Sequence, residues 1–213
     1  HIAPGLAVHF RIMGVMQAYE PDKPVAVEQI QEMLLNYLGD REKAILQEKR
    51  QADFLYVAKS GVRLRGNAFF QQYGIAVSFR IIPNKIREFD TIGFPDFLGE
   101  KLLSMKQGLV LVVGPTGEGK STTLASILQE RSRAKKEHII TIEDPIEYLF
   151  ASGNSVFQQR EVGRDVPSFT DGITAALRED PDTVMVGELR SINTIQAALT
   201  MAETGHLVFG TLH

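Results

Sequence analysis

The chain has 213 residues, enough for one large domain or two modest ones of roughly 100–150 residues each. With 44% hydrophobic side chains it can bury a core, and with no cysteine it can hold neither a disulfide framework nor a thiolate zinc site. A formal net charge of -3, from 23 basic and 26 acidic side chains, argues against a surface directed as a whole at nucleic acid. The longest apolar run, Leu109 to Val113, is far short of the roughly 20 residues of a membrane helix, and no signal peptide is visible. A chain that brings no membrane segment of its own is expected. The start at His1, without methionine, and the stop at His213, directly after a strand-like run, read as a piece cut at both ends from a longer protein.

In chain order, Leu6 to Met16 reads as one strand, because Val8, Phe10 and Ile12 alternate with His9, Arg11 and Met13. Pro24 opens a helix in which Val27, Ile30, Leu34 and Leu38 follow the helical period. Asp40 is placed to cap a second, highly charged helix that runs to about Gln51. Three strand-like runs come next, Phe54 to Lys59, Val62 to Phe70 and Ile75 to Ile82, with turns at Ser60-Gly61 and Gln72-Tyr73-Gly74. Residues 1–82 are therefore expected to form a small α+β domain. Pro83 to Pro95 has no clean period and reads as a linker.

From Asp96 onward strands alternate with helices. Leu109–Val113, His138–Ile142, Thr183–Val186 and Leu207–Leu212 read as strands. Lys120–Arg131, Ser168–Arg178 and Ser191–Ala202 read as helices, with Ser168 and Asp171 as a capping pair. Short apolar strands separated by helices imply an α/β core over residues 96–213, with a parallel sheet covered on its faces.

The segment Gly114-Pro115-Thr116-Gly117-Glu118-Gly119-Lys120-Ser121 matches G-x-x-x-x-G-K-[ST] and sits between an apolar strand and a helix. Glycines allow backbone N–H groups to turn inward around phosphate oxygens, and the helix N-terminus adds positive potential at the same point. Gly114 to Thr122 are the expected nucleotide-binding residues. Lys120 is expected to reach the β and γ phosphates, and the Ser121 hydroxyl to bind Mg²⁺.

Hydrolysis needs more: a group that orients or deprotonates water and another that helps hold the metal. Ligands in open α/β sheets bind beyond the carboxyl ends of the strands. One strand runs into Glu143-Asp144-Pro145-Ile146-Glu147, and another into Gly187-Glu188. Glu188 stands where a Walker B acid belongs and is assigned to the metal-bound water shell. Among Glu143, Asp144 and Glu147, one is expected to be the general base. His206 and His213 bracket the last strand, roughly 23 Å apart in extended chain, so they cannot share one metal ion. His213 falls at the phosphate end and His206 at the far end.

With these residues in hand, the chain resembles the secretion ATPase superfamily, and within it the PilT-type retraction ATPases of type IV pili. Four blocks carry the resemblance: Walker A at 114–122, the Asp box Ile-Glu-Asp-Pro-Ile-Glu at 142–147, the Walker B region from Leu177 to Glu188, and the His box from Thr204 to His213. The resemblance implies a RecA-like P-loop core behind a small PAS-like α+β domain. It also implies that Glu147 is the catalytic glutamate, Glu188 the Walker B glutamate, and His206 and His213 the His-box histidines. It further implies that Arg65 and Arg80 reach the phosphates, which residue pattern alone does not suggest. Gln159-Arg160-Glu161-Val162-Gly163 looks like the retraction branch.

The resemblance thus implies an ATPase that uses ATP and Mg²⁺ in a homo-hexameric ring. It would be cytoplasmic, held at the inner membrane by a pilus platform protein, with no membrane insertion of its own and no stable nucleic-acid partner. The rival readings are an assembly or type II secretion motor, a low-turnover ring subunit regulating an active paralogue, and a nucleic-acid translocase on the same core.

Overall fold

The computed structural model describes every residue except Pro83, Asn84, Thr116 and His213. The chain divides into two compact units, His1–Pro83 and Asn84–His213. The first contains β1 (Val8–Ile12), β2 (Val15–Tyr19), α1 (Val27–Tyr37), α2 (Asp40–Lys49), β3 (Gln51–Val57), β4 (Arg63–Gln71) and β5 (Gly74–Ile82). The single strand expected over Leu6–Met16 is a hairpin instead. The chain folds back at Met13 and Gly14, whose φ angles of 49° and 84° are both left-handed, so β1 pairs antiparallel with β2. Strands β3, β4 and β5 form an antiparallel sheet in that order. Its apolar face, with Ala52, Phe54, Ala68 and Val77, packs on Ile30, Leu34 and Leu38, so the helical period read from the sequence is the buried stripe. The cap of α2 is Gly39, and Asp40 is the first helical residue, where its charge still complements the helix dipole.

The second unit begins with a 3₁₀ turn, Phe89–Ile92, and continues through α3 (Asp96–Ser104), β6 (Gly108–Val113), α4 (Lys120–Ala134), β7 (His138–Glu143), β8 (Val156–Glu161), α5 (Phe169–Ala176), β9 (Thr183–Val186), α6 (Ile192–Glu203) and β10 (Leu207–Leu212). The five strands form one parallel sheet in the order β6-β10-β9-β7-β8. Alternate residues serve opposite faces. Ile140, Ile142, Val184, Val186 and Val208 pack on Ile173 and Ala176 of α5 and on Ala198 and Met201 of α6. Ile139, Met185, Leu207 and Phe209 pack on Leu124, Ile127 and Leu128 of α4 and on Leu102 of α3. Burial on both faces explains why these strands read as unbroken apolar runs, each large side chain contributing about 1.5–3 kcal/mol.

Two sequence expectations change here. Strand β8 is not among the runs that read as strands. The stretch expected as a linker carries Phe89 and Phe94, which touch each other and pack against the cluster on the α4 face of the sheet.

Helix α4 is fixed at its far end by Arg131, which is 1% exposed. Its guanidinium donates to Leu102 O at 2.8 Å, Leu103 O at 3.0 Å and Met105 O at 3.1 Å, satisfying the last carbonyls of α3, and to Glu137 Oε1 at 2.6 Å. Glu137 also accepts from the Thr183 hydroxyl at 3.0 Å, at the start of β9. The orientation of α4, and with it the loop that precedes α4, is thereby tied to the base of the sheet.

Candidate functional site

The parallel sheet brings the carboxyl ends of β6, β7, β8, β9 and β10 to one edge. From β6 the chain enters the phosphate loop and then α4. Gly117 and Gly119 have φ of 90° and 85°, values that cost most side chains about 1–2 kcal/mol, and an added Cβ at either would meet nothing within 4 Å. The constraint at these two positions is thus conformational rather than steric crowding. Thr123 N–H bonds back to Gly119 O at 2.8 Å, and a helix N-terminus that follows glycines in this way suits an anion. Lys120 Nζ donates to Gly114 O at 2.7 Å and to Pro115 O at 2.9 Å, so its ammonium is curled over its own loop. Glu118 N–H reaches Pro115 O at 3.4 Å. Ser121 is exposed in the first turn of α4. Thr116 lies outside the described residues.

Strand β7 ends at Glu143, which is 6% exposed. Burial pushes its carboxyl pKa up, against the opposing hydrogen bonds from Thr141 and Gln159 and from the Glu147 backbone. Its Oε1 accepts from the Thr141 hydroxyl at 2.7 Å and from Gln159 Nε2 at 3.2 Å, and its Oε2 accepts from Glu147 N–H at 3.3 Å. Of the three acids expected to include the base, Glu143 is thus turned inward, whereas Asp144 and Glu147 are exposed. Tyr148, adjacent to Glu147, is 8% exposed, and its hydroxyl lies 2.9 Å from the Thr122 hydroxyl in the first turn of α4. The segment that carries Glu147 is therefore joined directly to the helix that carries Lys120 and Ser121. Sequence reasoning missed Tyr148, Gln159 and Glu161, whose Oε2 accepts from Ile146 N–H at 3.1 Å. A buried tyrosine and polar side chains on a strand gave no sign of these partners.

Strand β9 ends at Val186, and Gly187 is held by Ile142 O at 2.8 Å through its N–H and by the Thr211 hydroxyl at 2.6 Å through its carbonyl. Glu188 comes next, hydrogen-bonded through Oε1 to Arg190 Nε. Among the described residues no cluster of three or more histidines and acids is arranged to hold a metal by itself. The donors at this edge are a serine hydroxyl and a carboxylate. They suit Mg²⁺, which keeps several waters and shares its binding with substrate phosphates.

His206 lies at the opposite edge, where β10 begins. Its ring Nδ1 is 3.1 Å from Met201 O and 3.3 Å from the Thr204 hydroxyl. The structure therefore does not bring it to the phosphate loop of its own chain, as its place at the far end of the strand implied. His213 lies outside the described residues. In the first unit, Arg65 and Arg80 are direct cross-strand partners, so their side chains leave the same face of the sheet. Among the described residues neither guanidinium has a hydrogen-bond or ion-pair partner.

A phosphate loop on a fully parallel sheet, with carboxylates at the tips of neighbouring strands, defines a P-loop nucleotide-binding protein. Residues 3–213 match the family described as Type II/IV secretion system protein, and the chain belongs to that family. It is 45% identical over 213 residues to the uncharacterized protein YggR of Escherichia coli (strain K12), covering 100% of this chain and 64% of that protein. It is 41% identical over 213 residues to the type IV pilus retraction ATPase PilT of Pseudomonas aeruginosa, covering 100% of this chain and 61% of that one. The crystal structure of the pilus retraction motor PilT with bound ADP superposes with a TM-score of 0.95 at 44% identity, covering 100% of this chain and 62% of that chain. The chain thus spans less than two thirds of the length of these relatives. Among the described residues no helix is long and apolar enough to cross a membrane.

Proposed function

We propose that the chain is the ATP-hydrolysing part of a ring-forming motor that retracts type IV pili. The observation that carries this reading is the joining of the two chemical halves of the site, the Tyr148 hydroxyl beside Glu147 bonding the Thr122 hydroxyl beside Ser121. ATP phosphates would bind at the N-terminus of α4, where the helix dipole favours negative charge. Lys120 would exchange its two loop carbonyls for β and γ phosphate oxygens. Ser121 would bind Mg²⁺ directly and Glu188 through water; the ion, when bound, neutralises charge on the phosphates. Glu147, exposed and next to the anchored Tyr148, would orient the attacking water, while Arg65 and Arg80 would supply positive charge to the transferred phosphoryl group.

The same reading includes a homo-hexamer, a cytoplasmic position and attachment to the inner membrane through a pilus platform protein. The relative named as a retraction ATPase favours retraction over assembly. Disrupting the gene separates the two: retraction predicts piliated cells that do not twitch, assembly predicts cells without pili. Restored twitching on return of the intact gene, but not of its Glu147→Gln form, would attribute the phenotype to hydrolysis.

A further inference from the structure

The side chain of Gln159 does more than donate to Glu143. The residue lies on β8, at the edge of the sheet, yet its side-chain amide makes one hydrogen bond to the last residue of β7 and two to the chain between β7 and β8. Its Nε2 donates to Glu143 Oε1 at 3.2 Å and to Tyr148 O at 2.8 Å, and its Oε1 accepts from Phe150 N–H at 3.1 Å. Both donor positions and the acceptor are thus engaged, with the loop on either side of Glu147 held from one point. Glu143 relays this hold, since its other oxygen accepts Glu147 N–H. Tyr148 carries it onward to Thr122. Glu161, two residues further along β8, grips Ile146 N–H in the same way.

We propose that Gln159 is a positioning residue for the hydrolytic step: it sets the place of Glu147 relative to the phosphate loop without touching nucleotide. The inference rests on Glu147 being the residue that orients water. A carboxylate that must meet water in line with the γ-phosphate works only within a narrow range of positions, and a displacement of about 1 Å can cost about 100-fold in rate. Binding of nucleotide depends on the loop and α4, and none of the hydrogen bonds of Gln159 goes to their described residues.

The test is steady-state ATP hydrolysis and nucleotide calorimetry on the full-length protein, comparing wild type, Gln159→Leu, Glu147→Gln and the double variant. Gln159→Leu should lower kcat about 10- to 100-fold while the Kd for ADP stays within about threefold. In the Glu147→Gln background the same change should alter the residual kcat by no more than about twofold, because the residue it positions is already gone. A purely architectural role would instead weaken binding and would add its loss in both backgrounds. Should the leucine variant not fold, Gln159→Met keeps the length of the side chain while losing both donors, and the same loss is expected. A kcat for the Gln159 variants within about twofold of wild type, or equal losses in the two backgrounds, overturns the inference. A wild-type protein that binds nucleotide without hydrolysing it overturns instead the reading on which the inference stands.

Discussion

Arg65 on β4 and Arg80 on β5 face each other across the antiparallel register, two positive charges on one face of a three-stranded sheet. Like charges in directly opposed positions destabilise a sheet. A pair of this kind suits an anion that both can approach, so replacing either arginine should cost function and spare the fold. Arg65→Ala and Arg80→Ala are each expected to melt no lower than wild type without nucleotide and to turn over ATP about tenfold more slowly or worse. A lowered melting temperature with unchanged turnover would make the pair architectural.

Glu143 predicts a pH dependence of stability. Burial raises its pKa above the ordinary 4.5, so the folded protein holds this proton more tightly than the unfolded chain does. The stability this group contributes is fully present below the unfolded value and is lost as pH rises through the folded one. Glu143→Gln removes that loss. Thermal melting of the two proteins from about pH 4.5 to neutrality should show the balance moving toward the variant as pH rises. Parallel curves would contradict it.

Arg131 predicts an effect on stability at a distance from the phosphates. Removing Arg131 takes its donors from Leu102 O and Leu103 O and leaves the Glu137 carboxylate with only Lys135 at 3.5 Å and the Thr183 hydroxyl, a loss of up to about 3–5 kcal/mol. Arg131→Ala should therefore unfold at markedly lower denaturant. Replacing Arg131 and Glu137 together by methionine and leucine should recover part of the loss. Equal stability of Arg131→Ala and wild type in chemical denaturation would refute the assignment.

The phosphate loop was legible because its chemistry is local: the glycines, Lys120 and Ser121 are consecutive, and the flanking strand and helix announce themselves by period. The helices beginning after Ser168 and Ser191 were legible for the same reason. Their cap hydroxyls accept from the N–H groups of Asp171 and Thr194 at 3.1 Å in both cases. Features that depend on distant partners were hidden. Strand β8 reads Val-Phe-Gln-Gln-Arg-Glu because it lies at a sheet edge and spends Gln159 and Glu161 on the loop after β7, so no apolar run marks it. The hairpin between β1 and β2 turns at Met-Gly, with methionine taking a left-handed φ of 49° that asparagine or aspartate would ordinarily signal. The stretch expected as a linker hid two phenylalanines whose packing partners lie elsewhere in the sequence. Glu147 could not be separated from Glu143 and Asp144 by strand position. Burial separates Glu143 from the others, and only the resemblance favoured Glu147.

The proposed hydrolysis requires an exposed glutamate, joined through Tyr148 to the helix behind the phosphate loop, to ready water for attack on bound ATP. Phosphate release by the full-length protein, measured together with calorimetric nucleotide binding for wild type and Glu147→Gln, tests it most directly. Binding of similar strength is expected in both proteins, with a turnover at least about 100-fold lower in the variant. Hydrolysis by Glu147→Gln at the wild-type rate would contradict it.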